Sequence, residues 1–460
     1  MSTPTPIADL EPLHRARDQR AWYWYDWANS AFYTTVLSVM FAPYLITVAG
    51  TAAGCVEKTE EACNETVSLL GLHLSAGSLP FYLTSFATLL SAFVLPLVGA
   101  FVDQSPRKKT HMAGFAWAGA ACGALLFLVR DDHWQIGAFA VVAATVLAGC
   151  SLVSYYAILV DISTEDERDR VSARGWAFGY LGGGLLLAVN LGVFLGHDAV
   201  GLTEAMAVRL SLLSAAVWWA GFTLIPFVRL RNHAPHPVPA SAGDRLWDRS
   251  FGQLAATFQE MRGYPKTLTF LAAYLFFNDG IQTVIYAAST YGSKQLGFST
   301  SVLIATILVI QFVAFGGALL FGRWAQRHGS YRPIKWGIVA WMAIVVVAIF
   351  LPERNVALFL LVAVAIGLVL GGTQALSRSF FSLLIPRGRE GNYFALYNAC
   401  ERGTSWFGTF LFGLVFQLTG SYRPAISVLI VFFVLGFVLL LRVDPRRAIR
   451  DAGNRVPEVF

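Results

Sequence analysis

Tyr274-Leu-Phe-Phe-Asn-Asp-Gly-Ile-Gln-Thr-Val-Ile-Tyr286 lies inside an apolar segment, 267–291, that is long enough to cross a bilayer as a helix. Asn278 and Asp279 fall near its middle, where an ionised carboxylate costs at least ~2.5 kcal/mol. A chain keeps an acid there only beside a wet cavity or a partner charge. Two readings stay open for Asp279. Either it is fixed in a structural ion pair with a base on a neighbouring helix, or it binds substrate or a proton in a central cavity. Intramembrane acids so regularly mark pathways that the second is the working expectation.

Composition places the whole chain in the same setting. It is 56% hydrophobic and 13% charged, with mean hydropathy +0.57, against about 25% charged residues in soluble proteins. The net charge of +6 does not read as a nucleic-acid footprint. Most of the bases sit in alternate loops and both tails, which is a topology signal. Residues Met1 to Arg20 are polar and lack an apolar core, so the first helix is expected to serve as the insertion signal.

Apolar segments fall near 22–48, 79–102, 111–129, 135–160, 175–196 and 208–230, then 267–291, 300–322, 333–351, 355–385, 393–417 and 422–441. Each has the roughly 20 residues that a membrane-spanning helix needs. The expected fold is therefore an all-α membrane protein of twelve transmembrane helices in two pseudo-symmetric six-helix halves. The halves are 22–230 and 267–441, with an N-terminal tail 1–21, a linker 231–266 and a C-terminal tail 442–460. Arg15, Arg17 and Arg20 in one tail and Arg442, Arg446, Arg447 and Arg450 in the other make the tail side cytoplasmic. The expected location is the cell membrane. In the linker, Leu246, Phe251, Leu254, Phe258 and Met261 recur at helical steps among Arg245, Arg249 and Arg262, as in an amphipathic surface helix.

The outside loop 49–77 carries Cys55 and Cys63, which are either a small disulfide loop or two free thiols. Cys122, Cys150 and Cys400 lie in apolar segments and read as packing residues. Asn64-Glu-Thr66 matches a glycosylation sequon, relevant only in a secretory compartment.

Two loops match across the halves. Gly99-Ala-Phe-Val-Asp103 precedes Arg107, Lys108 and Lys109, while Gly322-Arg323-Trp-Ala-Gln326 precedes Arg327 and Arg332. This resembles the cytoplasmic loop motif of the major facilitator superfamily, which implies a latch from Gly99, Asp103, Arg107, Lys108, Arg323 and Arg327. Gln326 stands where that motif has its acid. Trp24-Tyr-Asp-Trp-Ala-Asn-Ser-Ala-Phe32, Gly175-Trp-Ala-Phe-Gly-Tyr-Leu-Gly-Gly183, Asn278-Asp-Gly-Ile-Gln-Thr283 and Gly371-Gly-Thr-Gln-Ala-Leu-Ser-Arg-Ser379 narrow the resemblance. They resemble the "unknown major facilitator" family, which includes the autophagy-related vacuolar effluxers. That resemblance implies transport, and for the fungal branch release of amino acids.

Asp26, Asn29 and Tyr33 share one helical face, and Asp279, Gln282 and Tyr286 repeat the spacing in the seventh span. Asp26 lies roughly 10 Å nearer its span's cytoplasmic end than Asp279 does, so it gates while Asp279 binds, or it is an interfacial acid. Arg378, Glu401 and Arg402 complete the intramembrane charges. Arg378 is expected to hold an anionic group with Gln374 nearby, and Glu401, Asp279 and Asp26 to couple protons. Fixed pairs, such as Arg378 with Glu401, explain the charges equally well. Gly175, Gly179, Gly182, Gly183 and Gly184 give the fifth span a close-packing face. In the mixed-charge inside loop 161–170, some acids are expected to meet Arg107 or Lys108 across a gate.

There is no P-loop, H-E-x-x-H or G-x-S-x-G, and the eight His residues lie outside the span interiors. The chain therefore reads as no enzyme, with no metal and no cofactor. The expectation is a monomeric secondary transporter of a small polar substrate, amino acids first, with protons as coupling ion. Drug export and ligand sensing are the alternatives.

Overall fold

A computed structural model of the chain describes residues 12–54, 66–69, 72–75, 79–103, 105–232, 259–403, 405–419 and 421–459. The first crossing is α1 (Pro12–Ala31), a π-helical stretch Phe32–Met40 and α2 (Phe41–Ala52). Then follow α3 (Leu79–Asp103), α4 (Lys108–Ala124), α5 (Trp134–Ile162), α6 (Arg168–Leu195) and α7 (Glu204–Arg229). The second half holds α8 (Pro265–Thr290), α9 (Thr300–His328), α10 (Tyr331–Ile349) and α11 (Val356–Leu383). It continues with α12 (Glu390–Gly403), α13 (Ser405–Thr419), α14 (Tyr422–Ser427), α15 (Leu429–Leu441) and α16 (Pro445–Asp451).

Among the described residues eleven helices are long and apolar enough to cross a membrane. The pair α12 and α13, on either side of Thr404, occupies the place of the remaining span. The twelve-helix, two-half architecture stands. Between α2 and α3 a short antiparallel hairpin, β1 (Thr66–Leu69) with β2 (Leu72–Ser75), pairs Thr66 with Ser75. Its four-residue strands gave no sequence signal. Cys55, Cys63 and the linker helix around Leu246 to Phe258 lie outside the described residues.

The described parts of both tails pack against the bundle. Residues 12–21 extend the first helix, where Asp18 and Gln19 are buried and bonded: Arg231 donates to Asp18 at 2.9 Å, and Gln19 donates to the Ile162 carbonyl at 3.0 Å. At the other terminus Asp444 caps α16 by accepting from the Arg447 N–H. Asn454 then donates to the carbonyls of Leu383 and Ile385 at 3.0 and 2.7 Å. The Glu458 N–H reaches Asp166 of the first half at 2.9 Å. Both termini therefore lie at one end of the bundle.

Glycine sets how closely the halves approach at that end. A Cβ at Gly99 of α3 would overlap the Gly391 carbonyl of α12 and lie 2.8 Å from the Ala395 Cβ. A Cβ at Gly322 of α9 would lie 2.5 Å from the Ala173 Cβ of α6. The two loop-motif glycines are thus contact points of two of the crossings that join the halves. Gly99→Leu is expected to wedge α3 from α12. Spin labels at the exposed positions 107 and 332, on a cysteine-free background, should then show longer distances than in the parent. An unchanged distance distribution would dismiss Gly99 as a spacing residue.

Candidate functional site

The site is built on four helices, α1, α5, α6 and α11. In α6, glycines at 175 and 179 let α1 approach until a Cβ at Gly175 would lie 2.6 Å from Asp26 Oδ2. Asp26 is thereby pressed between α1, α5 and α6. The Tyr155 hydroxyl of α5 donates to Asp26 Oδ2 at 2.6 Å. From the second half, Arg378 of α11 reaches the same oxygen with both terminal nitrogens at 3.4 Å. Its Nε donates to Ser172 Oγ, and Nη2 to the Ser172 carbonyl, both at 2.9 Å. The guanidinium carbon stands 5.0–5.6 Å from the ring centres of Trp22, Tyr155, Tyr156 and Trp176. Both charges are buried, at 1% and 8% side-chain exposure.

This is an ion pair across the two halves inside a four-ring aromatic box. Such a cation is held by charge, hydrogen bonds and ring faces together. In this arrangement Arg378 is saturated by protein groups rather than open to an anion, and its acid is Asp26. Glu401 and Arg402 have side chains outside the described ones.

One turn back along α11, Gln374 donates to Asn278 Oδ1 at 2.8 Å and accepts from the Tyr274 hydroxyl at 3.4 Å. Asn278 therefore faces α11. The next residue, Asp279, points about 100° further round the helix, towards α13. There its Oδ2 accepts the Gly408 N–H at 3.1 Å. Asp279 Oδ1 and Thr283 Oγ1 are buried and have no hydrogen-bond partner among the described residues. A Cβ at Gly408 would overlap Thr283 Oγ1 and sit 2.9 Å from Asp279 Oδ1. The two halves share a device: an acid on the first helix of each faces a glycine on the fifth. They differ in that Asp26 has a cation, whereas Asp279 forms no ion pair among the described residues.

The remaining expected contacts are looser. Asn29 donates to the Tyr25 carbonyl of its own helix at 3.1 Å. Tyr33 falls in the π-helical stretch, so its face is no longer the plain α-helical equivalent of Gln282 and Tyr286. Gln282 is half-buried, and Tyr286 is 49% exposed.

The latch at the tail end also differs from the expected one. Lys108 is buried against Asp161 at 2.9 Å, within the first half. Arg107, Arg323 and Arg327 are exposed and form no ion pair among the described residues, and the Asp103 side chain is outside them. The cross-half bonds come instead from the α5–α6 and α11–α12 junctions, which face one another. Arg387 pairs with Glu165, and Ser379 donates to Asp169. Arg168 donates to the Ser382 carbonyl at 2.9 Å, and Ser172 to the Ala375 carbonyl at 2.7 Å. Burial alone would raise the Glu165 pKa, but Arg168, its own backbone and Arg387 outweigh it and hold it below the usual carboxylate range. That bridge therefore stays charged at neutral pH. Mid-membrane, Gln311 donates to Thr34 at 2.8 Å. The cross-half bonds concentrate between there and the tail end, which is the closed end.

Sequence reasoning missed Tyr155, Tyr156, Trp22, Trp176 and Ser172 as the box around Arg378. It also missed Gly408 as the partner of Asp279. An aromatic residue or a glycine in an apolar span carries no signal of its own; only the contact identifies it.

Comparison with known proteins fits this geometry. The family model described as "Vacuole effluxer Atg22 like" matches residues 15–167 and 160–453. A Bacillus subtilis protein described as the uncharacterized MFS-type transporter YxiO is 31% identical over 92% of this chain and 94% of its own length. Autophagy-related protein 22 of Coccidioides immitis is 26% identical over 84% of this chain and 75% of its own. Among solved structures, the human organic anion transporter MFSD10 superposes with TM-score 0.64 at 17% identity, covering 94% of this chain and all 100% of that one. The proton:xylose symporter XylE superposes with TM-score 0.67 at 12% identity, over 93% and 95%.

Proposed function

The chain belongs to the Atg22-like vacuole effluxer family and is a transporter of the major facilitator type, and we propose that it moves amino acids by alternating access with protons as the coupling ion. The observation that carries this reading is the buried Asp26–Arg378 pair joining the two halves on the closed, tail-bearing side. Rocking of one half against the other must break that pair, so it is the gate. The substrate surface is Asn278, Gln374 and Gln282 with Tyr286, Asn29 and Tyr33 toward the opposite mouth. These neutral polar groups suit the ammonium and carboxylate of a zwitterion. Asp279 takes the coupling proton. The membrane is the cell membrane, with both termini in the cytoplasm.

The test is counterflow in proteoliposomes with a panel of labelled amino acids. Saturable exchange of at least one amino acid is expected from the parent protein and none from Gly99→Leu. Absence of exchange across the panel, from protein shown to be folded, would remove amino acids as the substrate class.

A further inference from the structure

The first turns of α1 place Arg17, Arg20 and Trp24 at i, i+3 and i+7, on one helical face. Across from them, the last turn of α7 contributes Arg229. Together with Ala21 they line a recess of about 410 Å³ at the tail-bearing end. The junction beneath it is fixed, since Arg231 following α7 pairs with the buried Asp18 of α1. The floor is fixed as well: Trp24 stacks on Phe222 of α7 with ring centres 5.8 Å apart and planes 3° apart. Three guanidiniums thus converge on one recess, and none of the three makes an ion pair among the described residues. Among the described residues Arg20 spends only its Nε, on the Ala16 carbonyl.

We propose that this recess binds the phosphate of an anionic membrane lipid headgroup. Planar guanidiniums suit phosphate oxygens, and basic pockets between helix ends take anionic headgroups. Free phosphate offers the same charge, but the surroundings favour a lipid. Leu224 and Val228 of α7 are 52% and 68% exposed, within the two turns before Arg229 and about a third of a turn round the helix from it. Acyl chains can lie on that apolar strip while the headgroup sits in the recess, with Trp24 at the level where amphipathic rings settle. A free anion would use only the arginines.

The experiment is native mass spectrometry of the purified full-length chain in neutral detergent, titrated with phosphatidylglycerol or with phosphatidylcholine. Retention of phosphatidylglycerol over phosphatidylcholine is expected. The triple variant Arg17→Gln/Arg20→Gln/Arg229→Gln should weaken it on the order of 100-fold, as three basic residues at an anionic surface imply. The control Arg332→Gln/Arg442→Gln/Arg450→Gln removes the same charge from the same end and should leave retention unchanged. Each single variant should weaken it several-fold, so the reading stands or falls even where the triple misfolds. Equal loss in the control would show diffuse attraction rather than a site. Undiminished retention in the recess variants would place the lipid elsewhere. Full displacement of phosphatidylglycerol by inorganic phosphate would make the recess an anion site and overturn the lipid assignment.

Discussion

Arg378→Gln is expected to cost the folded protein about 3–5 kcal/mol and to abolish exchange. The guanidinium is buried and binds Asp26 and Ser172 across the halves. Without it, Asp26 remains as a buried carboxylate with the Tyr155 hydroxyl as its remaining side-chain donor from outside its own helix. Asp26→Asn should do comparable damage, because it strands the cation inside its aromatic box with Ser172 alone. The double variant Asp26→Asn/Arg378→Gln removes both charges together, and it should regain most of the lost stability. Exchange should stay lost, since the pair that seals the tail end is gone. Thermal or denaturant unfolding in detergent, run beside counterflow, separates the two effects. A double variant as unstable as the singles would show that the two charges do not support each other. An Arg378→Gln protein exchanging at the parental rate would end the gate assignment.

That pair also shows where sequence reasoning succeeds and stops. Span number and the two-half division follow from hydropathy and helix rise, because a bilayer forces every crossing to be long and apolar. The glycine pattern of α6 was legible as a packing face for the same reason: few residue types allow helices that close. Pairing was not legible. Asp26 and Arg378 are separated by most of the chain, and only the packing of α11 on α6, against which α1 also lies, selects one acid for that base. Adjacent Asn278 and Asp279 looked like one site, yet helical rotation turns them to different neighbours, α11 and α13. The loop bases were visible as a group, but their roles were not. Lys108 is spent inside its own half, and the acids at 165 and 169 meet Arg387 and Ser379 because the two junctions face each other.

Asp279→Asn is expected to uncouple transport rather than block it. In proteoliposomes with substrate at equal concentration on both sides, exchange should continue. Accumulation driven by a pH gradient should fall to the level seen without one. The reason lies in the shape of the carboxyl's surroundings. Its Oδ2 already accepts the Gly408 N–H, while Oδ1 and Thr283 Oγ1 are buried with no partner among the described residues. A proton on Oδ1 removes the charge of a buried carboxyl that has no cation among the described residues. Loss of that proton leaves an anion whose donor among the described residues is the Gly408 N–H, in a setting where an unpaired charge is costly. Asparagine keeps the neutral shape permanently, so the site stays filled but can no longer release a proton. Gly408→Ala gives the opposite result: its Cβ intrudes on both oxygens, and exchange and accumulation should fall together. Full gradient-driven accumulation by Asp279→Asn would take this residue off the proton path. Loss of exchange along with accumulation, from a folded variant, would instead make Asp279 a substrate contact.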